Sequence, residues 1–333
     1  MDSIEFQALL DAQHGLLSSA QLRRFGYPWH RVRHQVDSGH WLSVLRGVIS
    51  VSNGPLTRPM IVSAALVYGG PQAILSHQSA LEHWGMIGEP PGPIHITVPR
   101  KHSAIAQPPT VRPTTARPAA HIGEILHPGV VVHRSVAIKH LRVDRDVPVA
   151  SAASCVIDVA VAEPTARQAM SAFTALATNG RIPLRHLREQ LELRRPRRYR
   201  RALNDAMTLL ADGVQSALEY EYAVDVERAH GLPTARRQGP VVVDGRTLYE
   251  DVEYDEFGAA LTVRLDGRAT HSMAEVAFRD RRRDNAAELA GRPRLVFGYP
   301  ETHDDPCGVF AEVRTVLVRE GWTDRSHPCP RCA

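Results

Sequence analysis

The sequence predicts an α/β protein of the α+β kind, divided into more than one domain, and three observations carry that expectation. Short helices separated by glycine turns and followed by an alternating strand pair open the chain. Apolar helices and strands fill the middle, and a strand hairpin with a capped helix occupies residues 247–291. With 333 residues, 43% apolar and 23% charged, there is chain enough for two or three cores.

Composition excludes several classes. The longest apolar stretches, residues 60–69 and 147–162, are interrupted by Ser63, Pro148 or Asp158 and are too short for a bilayer, so no membrane partner is expected. Four cysteines cannot form a disulfide framework, and Asp2 and Glu5 are unlike a secretion signal, so the expected compartment is the cytoplasm. A net charge of +4 does not by itself imply nucleic acid. No stretch calls for an organic cofactor.

Residues 1–52 predict a helix-turn-helix with a wing. Ile4, Leu9 and Phe6 or Leu10 fall on helical spacing up to Gly15; a second helix runs from a Ser18 or Ser19 cap to Gly26; Pro28 opens a third over Trp29 to Ser38. His40 to Leu45 and Gly47 to Val51 then alternate about Arg46-Gly47. Val32 and Val36 point inward from the third helix, leaving His30, Arg31, Arg33, His34 and Gln35 outside, where they can reach base edges and phosphates in a major groove. A small helical cap with a solvated polar face fits the same pattern.

Residues 56–180 read as a mixed α/β middle domain. Met60 to Tyr68 and Ala73 to Trp84 are expected helices, Ile94 to Val98 and Val130 to Arg134 strands, and Val149 to Ala162 and Thr165 to Thr178 helices. His77 and His83, six apart, lie on different helix faces, which argues against a metal shared between them. Residues 181–211 read as a basic linker: Arg181 to Asp205 holds nine arginines against three acids. That run fits either a phosphate-tracking patch or a solvated connection.

Residues 212–325 hold the chemistry-bearing stretch, Tyr249 to Asn285. Two strands joined by a turn place Asp251 inside one and Asp266 at the end of the next. Ser272 and Glu275 form a capping box for a helix that Gly291 and Pro293 stop, with Arg279, Arg282 and Arg283 on one face. Paired aspartates with His271 and a basic helix behind them suit Mg²⁺-dependent phosphodiester cleavage: hard oxygens hold the ion, the ion activates water, and arginines grip phosphate. A hairpin with solvated acids and a plain surface helix fits as well. Residues 326–333 form a Cys-x-x-Cys tail, in which Cys329 and Cys332 make half a zinc site; Cys307, His303 and His327 are available to complete it.

Two resemblances sharpen these expectations. Residues 1–52, with Trp41, Val44, Gly47 and Val48 in the wing, resemble the winged helix-turn-helix of AbiEi-type antitoxins from type IV toxin–antitoxin systems, and the middle region resembles the body that follows it. That implies duplex DNA, transcriptional regulation and a cognate toxin or other protein as partners. From Gly213 onward, Ser216 to Glu219, Gly231-Leu232-Pro233 with Gln238, Tyr249-Glu250-Asp251, Leu265-Asp266-Gly267 with His271, Asp280 to Asn285 and Gly321-Trp322 resemble PD-(D/E)XK nucleases related to very-short-patch repair endonucleases. The resemblance implies a restriction-endonuclease-like fold, Glu219 as the helix carboxylate, Asp251 as the main Mg²⁺ ligand and His271 as an accessory group. Those nucleases also carry a structural zinc.

One position departs from that family, which has glutamate where this chain has Arg264. A guanidinium cannot ligate a cation and acts as a permanent counter-charge beside the carboxylates. The expected function is therefore DNA binding with an impaired nuclease-fold domain; an active Mg²⁺-dependent endonuclease and a protein-interaction module without DNA chemistry are the competing readings.

Overall fold

The computed structural model describes residues 3–112, 124–214, 216–243, 246–255, 260–266 and 291–332. The chain divides into two compact units, Met1–Val159 and Ala160–Ala333.

The first unit opens with α1 (Ser3–Ala12), β1 (Leu16–Ser18), α2 (Ser19–Arg24), α3 (Trp29–Asp37), β2 (Leu42–Leu45) and β3 (Val48–Ser50). The strands form an antiparallel sheet in the order β1-β3-β2. Gly47, at φ +75, makes the tight turn between β2 and β3 that a side chain would strain. Leu17, Leu22, Val32 and Ile49 form the local core, with Phe6, Tyr27, Val36 and Trp41 packed on it. The two inward valines of α3 thus fix which face of that helix meets solvent.

The unit continues with α4 (Arg58–Gly69), β4 (Ile74–Leu75), α5 (His77–His83), β5 (Ile94–Pro99), β6 (Thr110–Val111), β7 (Ile125–His127), β8 (Val130–Ser135), α6 (Ile138–Leu141), β9 (Arg142–Asp144), β10 (Pro148–Ala150) and α7 (Ala152–Ala162). Five of these strands make a mixed sheet, β8-β5-β4-β10-β9. Two expected helices are shorter than their periodicity predicts. Ile74-Leu75 leaves the helix expected over Ala73 to Trp84 to pair with β5 and β10, and Val149-Ala150, within β10, leaves the one expected over Val149 to Ala162. Sheet pairing of fully buried Ile74 and Leu75 overrides local helical propensity. At the end of α4, a Cβ on Gly69 would lie 2.6 Å from Ala73 and 2.7 Å from Ile96, so only glycine lets the helix close this tightly on the sheet.

The second unit begins with α8 (Ala166–Asn179), α9 (Leu184–Arg194) and α10 (Arg200–Ala211). The basic stretch read as a linker is therefore largely helical. Leu187, Leu191, Leu203 and Met207 are buried, and Pro196 falls in the break between the helices. Next, α11 (Ala217–Glu221) runs into a π-helical segment, Tyr222–Arg228. A four-stranded sheet follows: β11 (Arg236–Val243), β12 (Arg246–Glu253), β13 (Thr262–Asp266) and β14 (Arg294–Gly298), ordered as in sequence. The first three strands are antiparallel and β14 is parallel to β13. A short helix, Tyr299–Asp304, and a last helix, Pro306–Arg319, complete the unit. Tyr222, Val226, Tyr254, Val263, Val313 and Leu317 belong to its core. Among the described residues, no helix is long and apolar enough to cross a membrane.

Candidate functional site

The two strands that carry Asp251 and Asp266 are neighbours, with Val252 paired to Val263 and Glu253 to Thr262. Beyond Val252 the Asp251 side chain turns onto β13: its Oδ2 accepts the Leu265 N–H at 2.9 Å. Asp266 lies two residues from Arg264, so both project to the same side of the strand. There the Arg264 Nε donates to Asp266 Oδ1 at 2.9 Å. The arginine side chain is 13% exposed and the aspartate 46%, so the guanidinium is the inner member of the pair. The two expected metal carboxylates are thus engaged by a backbone amide and by Arg264.

Glu219 stands at the start of α11, where Ser216 Oγ accepts its N–H at 3.1 Å, and its side chain is buried. Beneath the sheet lies a polar network that sequence reading did not single out. Arg237 of β11 pairs with Glu227; Tyr254 Oη donates to Glu227 Oε1 at 2.7 Å; Tyr222 and Tyr254 hydroxyls meet at 2.9 Å. Burial works against charge on Arg237, but Glu227, with Tyr254, Tyr222 and Glu219 around it, keeps it a cation. Gln238, between Arg237 and Gly239, adopts φ +52. His271, Arg279, Arg282 and Arg283 lie outside the described residues.

A second constellation closes the C-terminal tail. Cys307 at the start of the last helix, Cys329 and Cys332 in the knuckle, and His230 bring four ligand atoms within 4.8 Å of one another. The Sγ–Sγ separations are 3.7 Å for Cys307–Cys329, 3.5 Å for Cys332–Cys307 and 3.7 Å for Cys332–Cys329; His230 Nε2 lies 3.3 Å from Cys332 Sγ. Ligands at zinc bond lengths in a tetrahedron stand about 3.8 Å apart for two sulfurs and about 3.6 Å for sulfur and nitrogen. Four of the six edges of a coordination tetrahedron are thus present to within about 0.3 Å, and all four atoms lie within 4.8 Å of one another. Outer contacts hold them there: His230 Nδ1 lies 3.0 Å from the Val226 carbonyl, which leaves Nε2 facing inward, its ring stacks on Phe310 at 4.1 Å, and the Arg331 N–H reaches Cys329 Sγ at 3.3 Å. Burial and the neighbouring Cys332 and Cys329 thiols push the Cys307 thiol up to about 12. A divalent cation removes that penalty by taking the charge of the thiolates.

The fourth member of the cluster is not one of the histidines nearest the cysteines in sequence. His303 pairs with Glu221 at 3.0 Å and stacks on Tyr299, while His327 is exposed beside Pro328. His230 sits far upstream of the knuckle, and no spacing pattern pointed to it.

On α3, His30, Arg31, Arg33 and His34 are exposed, and Gln35 is half-buried. Arg33 makes an exposed ion pair with Asp37 at 3.5 Å, and Arg46 is exposed in the β2–β3 turn. No family model matches this chain, and no match is found among curated proteins.

Proposed function

We propose that this is a cytoplasmic DNA-binding protein whose N-terminal helices and wing dock on duplex DNA, and whose C-terminal unit is a nuclease-type fold silenced at its hydrolytic centre. The observation that carries the first half is the orientation of α3, with Val32 buried and His30, Arg31, Arg33 and His34 turned outward beside a three-stranded wing. Guanidinium groups on such a helix neutralise phosphates and release counterions, which makes binding salt-dependent. Replacing Arg31 and Arg33 with alanine is expected to weaken duplex binding and to flatten the slope of log affinity against log salt by about 0.9 for each phosphate that is no longer neutralised. Unchanged affinity and slope would leave a protein-interaction module as the better reading.

The second half rests on the Arg264–Asp266 contact and on Asp251 spending one oxygen on the Leu265 amide. A guanidinium opens no coordination position and cannot lower the pKa of an attacking water. The wild type is expected to leave supercoiled and linear DNA intact with Mg²⁺ or Mn²⁺, and Arg264→Glu to gain divalent-cation affinity. Cleavage by the wild type that disappears in Asp251→Ala would make the protein a working endonuclease instead. In the same reading the His230, Cys307, Cys329 and Cys332 cluster holds a structural zinc, which ties the tail to His230, two residues past the π-helical segment, and to the last helix.

A further inference from the structure

The five-stranded sheet of the first unit carries a histidine constellation that neither the DNA-binding face nor the C-terminal unit uses. His95 lies in β5 and His133 in β8, which are parallel neighbours with Thr97 opposite His133. His95 and Thr97 are two apart and so share a face, which brings His95 and His133 to the same side of the sheet. His95 Nδ1 lies 3.0 Å from His133 Nε2. His77, the first residue of α5, stacks its ring on His133 at 3.6 Å, and the ligand atoms of all three lie within 4.8 Å of one another.

The corner that places His77 is tied down and strained. Its φ is +52, a left-handed conformation that costs free energy in any residue with a Cβ. Its Nδ1 lies 3.1 Å from Ser76 Oγ; the Ser76 N–H donates to the His95 carbonyl at 3.0 Å, and the His95 N–H to Ser79 Oγ at 2.9 Å. The chain thus holds an imidazole over the sheet at a position where a relaxed turn would send it elsewhere. Asp158, buried on α7, is close enough for its charge to act on His133. Burial pushes the His133 imidazole down to about 3, with His77 and His95 adding to the effect, and burial lowers His95 as well. Neutral imidazoles backed by a carboxylate are the donor set of zinc and similar ions.

We propose that His77, His95 and His133 are the protein ligands of a divalent transition ion of the zinc type. Two nitrogens at zinc bond lengths stand about 3.0 Å apart at a right angle and about 3.4 Å apart in a tetrahedron, and the His95–His133 separation of 3.0 Å falls at the start of that range. Ligation asks for two adjustments. The proton shared between His95 and His133 moves to the outer nitrogen of the imidazole that keeps it, a change of tautomer without net proton loss. The His77 ring, now 14° from the plane of His133, tilts so that its lone pair meets the other two. A three-imidazole set leaves the fourth position for water or a carboxylate, the arrangement of a zinc site open to an exogenous ligand.

The test uses the full chain freed of metal by chelator and then titrated with Zn²⁺ and, separately, with Co²⁺, whose thiolate charge-transfer band marks the cysteine tetrahedron alone. The wild type is expected to bind about two equivalents of Zn²⁺ per chain, one for each cluster. His95→Ala and His77→Gln should each lose about one equivalent while keeping the full thiolate–cobalt band, and unchanged hydrogen-exchange protection of β5 and β8 in the metal-free variants shows that the first unit, which holds the histidines, is still folded. Cys332→Ser should do the reverse, losing that band and keeping the equivalent that depends on His95. If neither histidine variant changes the number of Zn²⁺ ions bound, the proposal is wrong, whatever the cysteine variant does.

Discussion

The two metal-capable clusters are built in opposite ways. In the C-terminal unit three of the four donors belong to a knuckle and a helix start close in sequence, and their spacings already match a tetrahedron. In the N-terminal unit the donors come from a strand-to-helix corner and two strands, and the His77 ring lies stacked nearly parallel on His133, 14° from its plane. The first cluster crowds three thiols together, with the backbone N–H of Arg331 directed at one of them. The second already holds its partners through an imidazole hydrogen bond and a ring stack. Metal should therefore matter to folding in the first and to ligand binding in the second.

That contrast sets the largest expected effect. Removing metal with a strong chelator, or replacing the exposed Cys332 with serine, should destabilise the C-terminal unit by about 4 kcal/mol when the comparison state has free zinc about 1,000-fold above its Kd. Hydrogen exchange resolved by peptide is the measurement, because it reads residues 160–333 separately from the rest. Faster exchange in the last helix and around His230, with little change in β5 and β8, sharpens the contrast. An equal response of both clusters, or none, breaks it.

The intermediate effect belongs to the N-terminal unit and to protons. His127 in β7 is fully buried; its Nε2 lies 3.0 Å from the Ile61 carbonyl, and burial, helped by Arg58, pushes it down to about 4. A histidine whose folded pKa lies below its unfolded one takes up a proton on unfolding. Its contribution is complete above the unfolded value near 6.5 and is lost as pH falls toward 4, at a cost on the order of 3 kcal/mol. Denaturant midpoints between pH 7 and pH 4 should fall more steeply for the wild type than for His127→Gln. Parallel slopes would show that other groups govern the acid response.

How much of this was legible in the sequence follows from the range of the interactions involved. The α2 cap, the outward face of α3, the β2–β3 turn and the Cys-x-x-Cys knuckle are written within a few residues of one another, and the structure has each. β4 was hidden because Ile74 and Leu75 carry a helical pattern that only pairing with β5 and β10 defeats. Leucine spacing in Arg181 to Asp205 was masked by its charge, so two helices read as a linker. His230 and the histidine trio were out of reach for a stronger reason. The register that puts Thr97 opposite His133 is a property of the folded sheet, and no local spacing encodes it.

The smallest effect tests the local end of that scale. Ser18 caps α2 reciprocally: its Oγ accepts the Gln21 N–H at 3.1 Å, and its own N–H donates to Gln21 Oε1 at 2.7 Å. Ser18→Ala leaves one of those two donors without its partner at a half-exposed helix end, where water compensates in part, so the expected loss is about 1 kcal/mol. Because α2 holds Leu22 against Val32 of α3, that loss should register in the stability of the N-terminal helices. It should leave the salt slope of DNA binding untouched, since Ser18 removes no positive charge. Arg31→Ala with Arg33→Ala is the converse, as both side chains are exposed and their removal should alter the slope with little effect on the denaturation midpoint. If Ser18→Ala flattened the salt slope as the arginine changes do, folding and phosphate binding in α3 could not be separated, and the recognition face would have to be assigned to other residues.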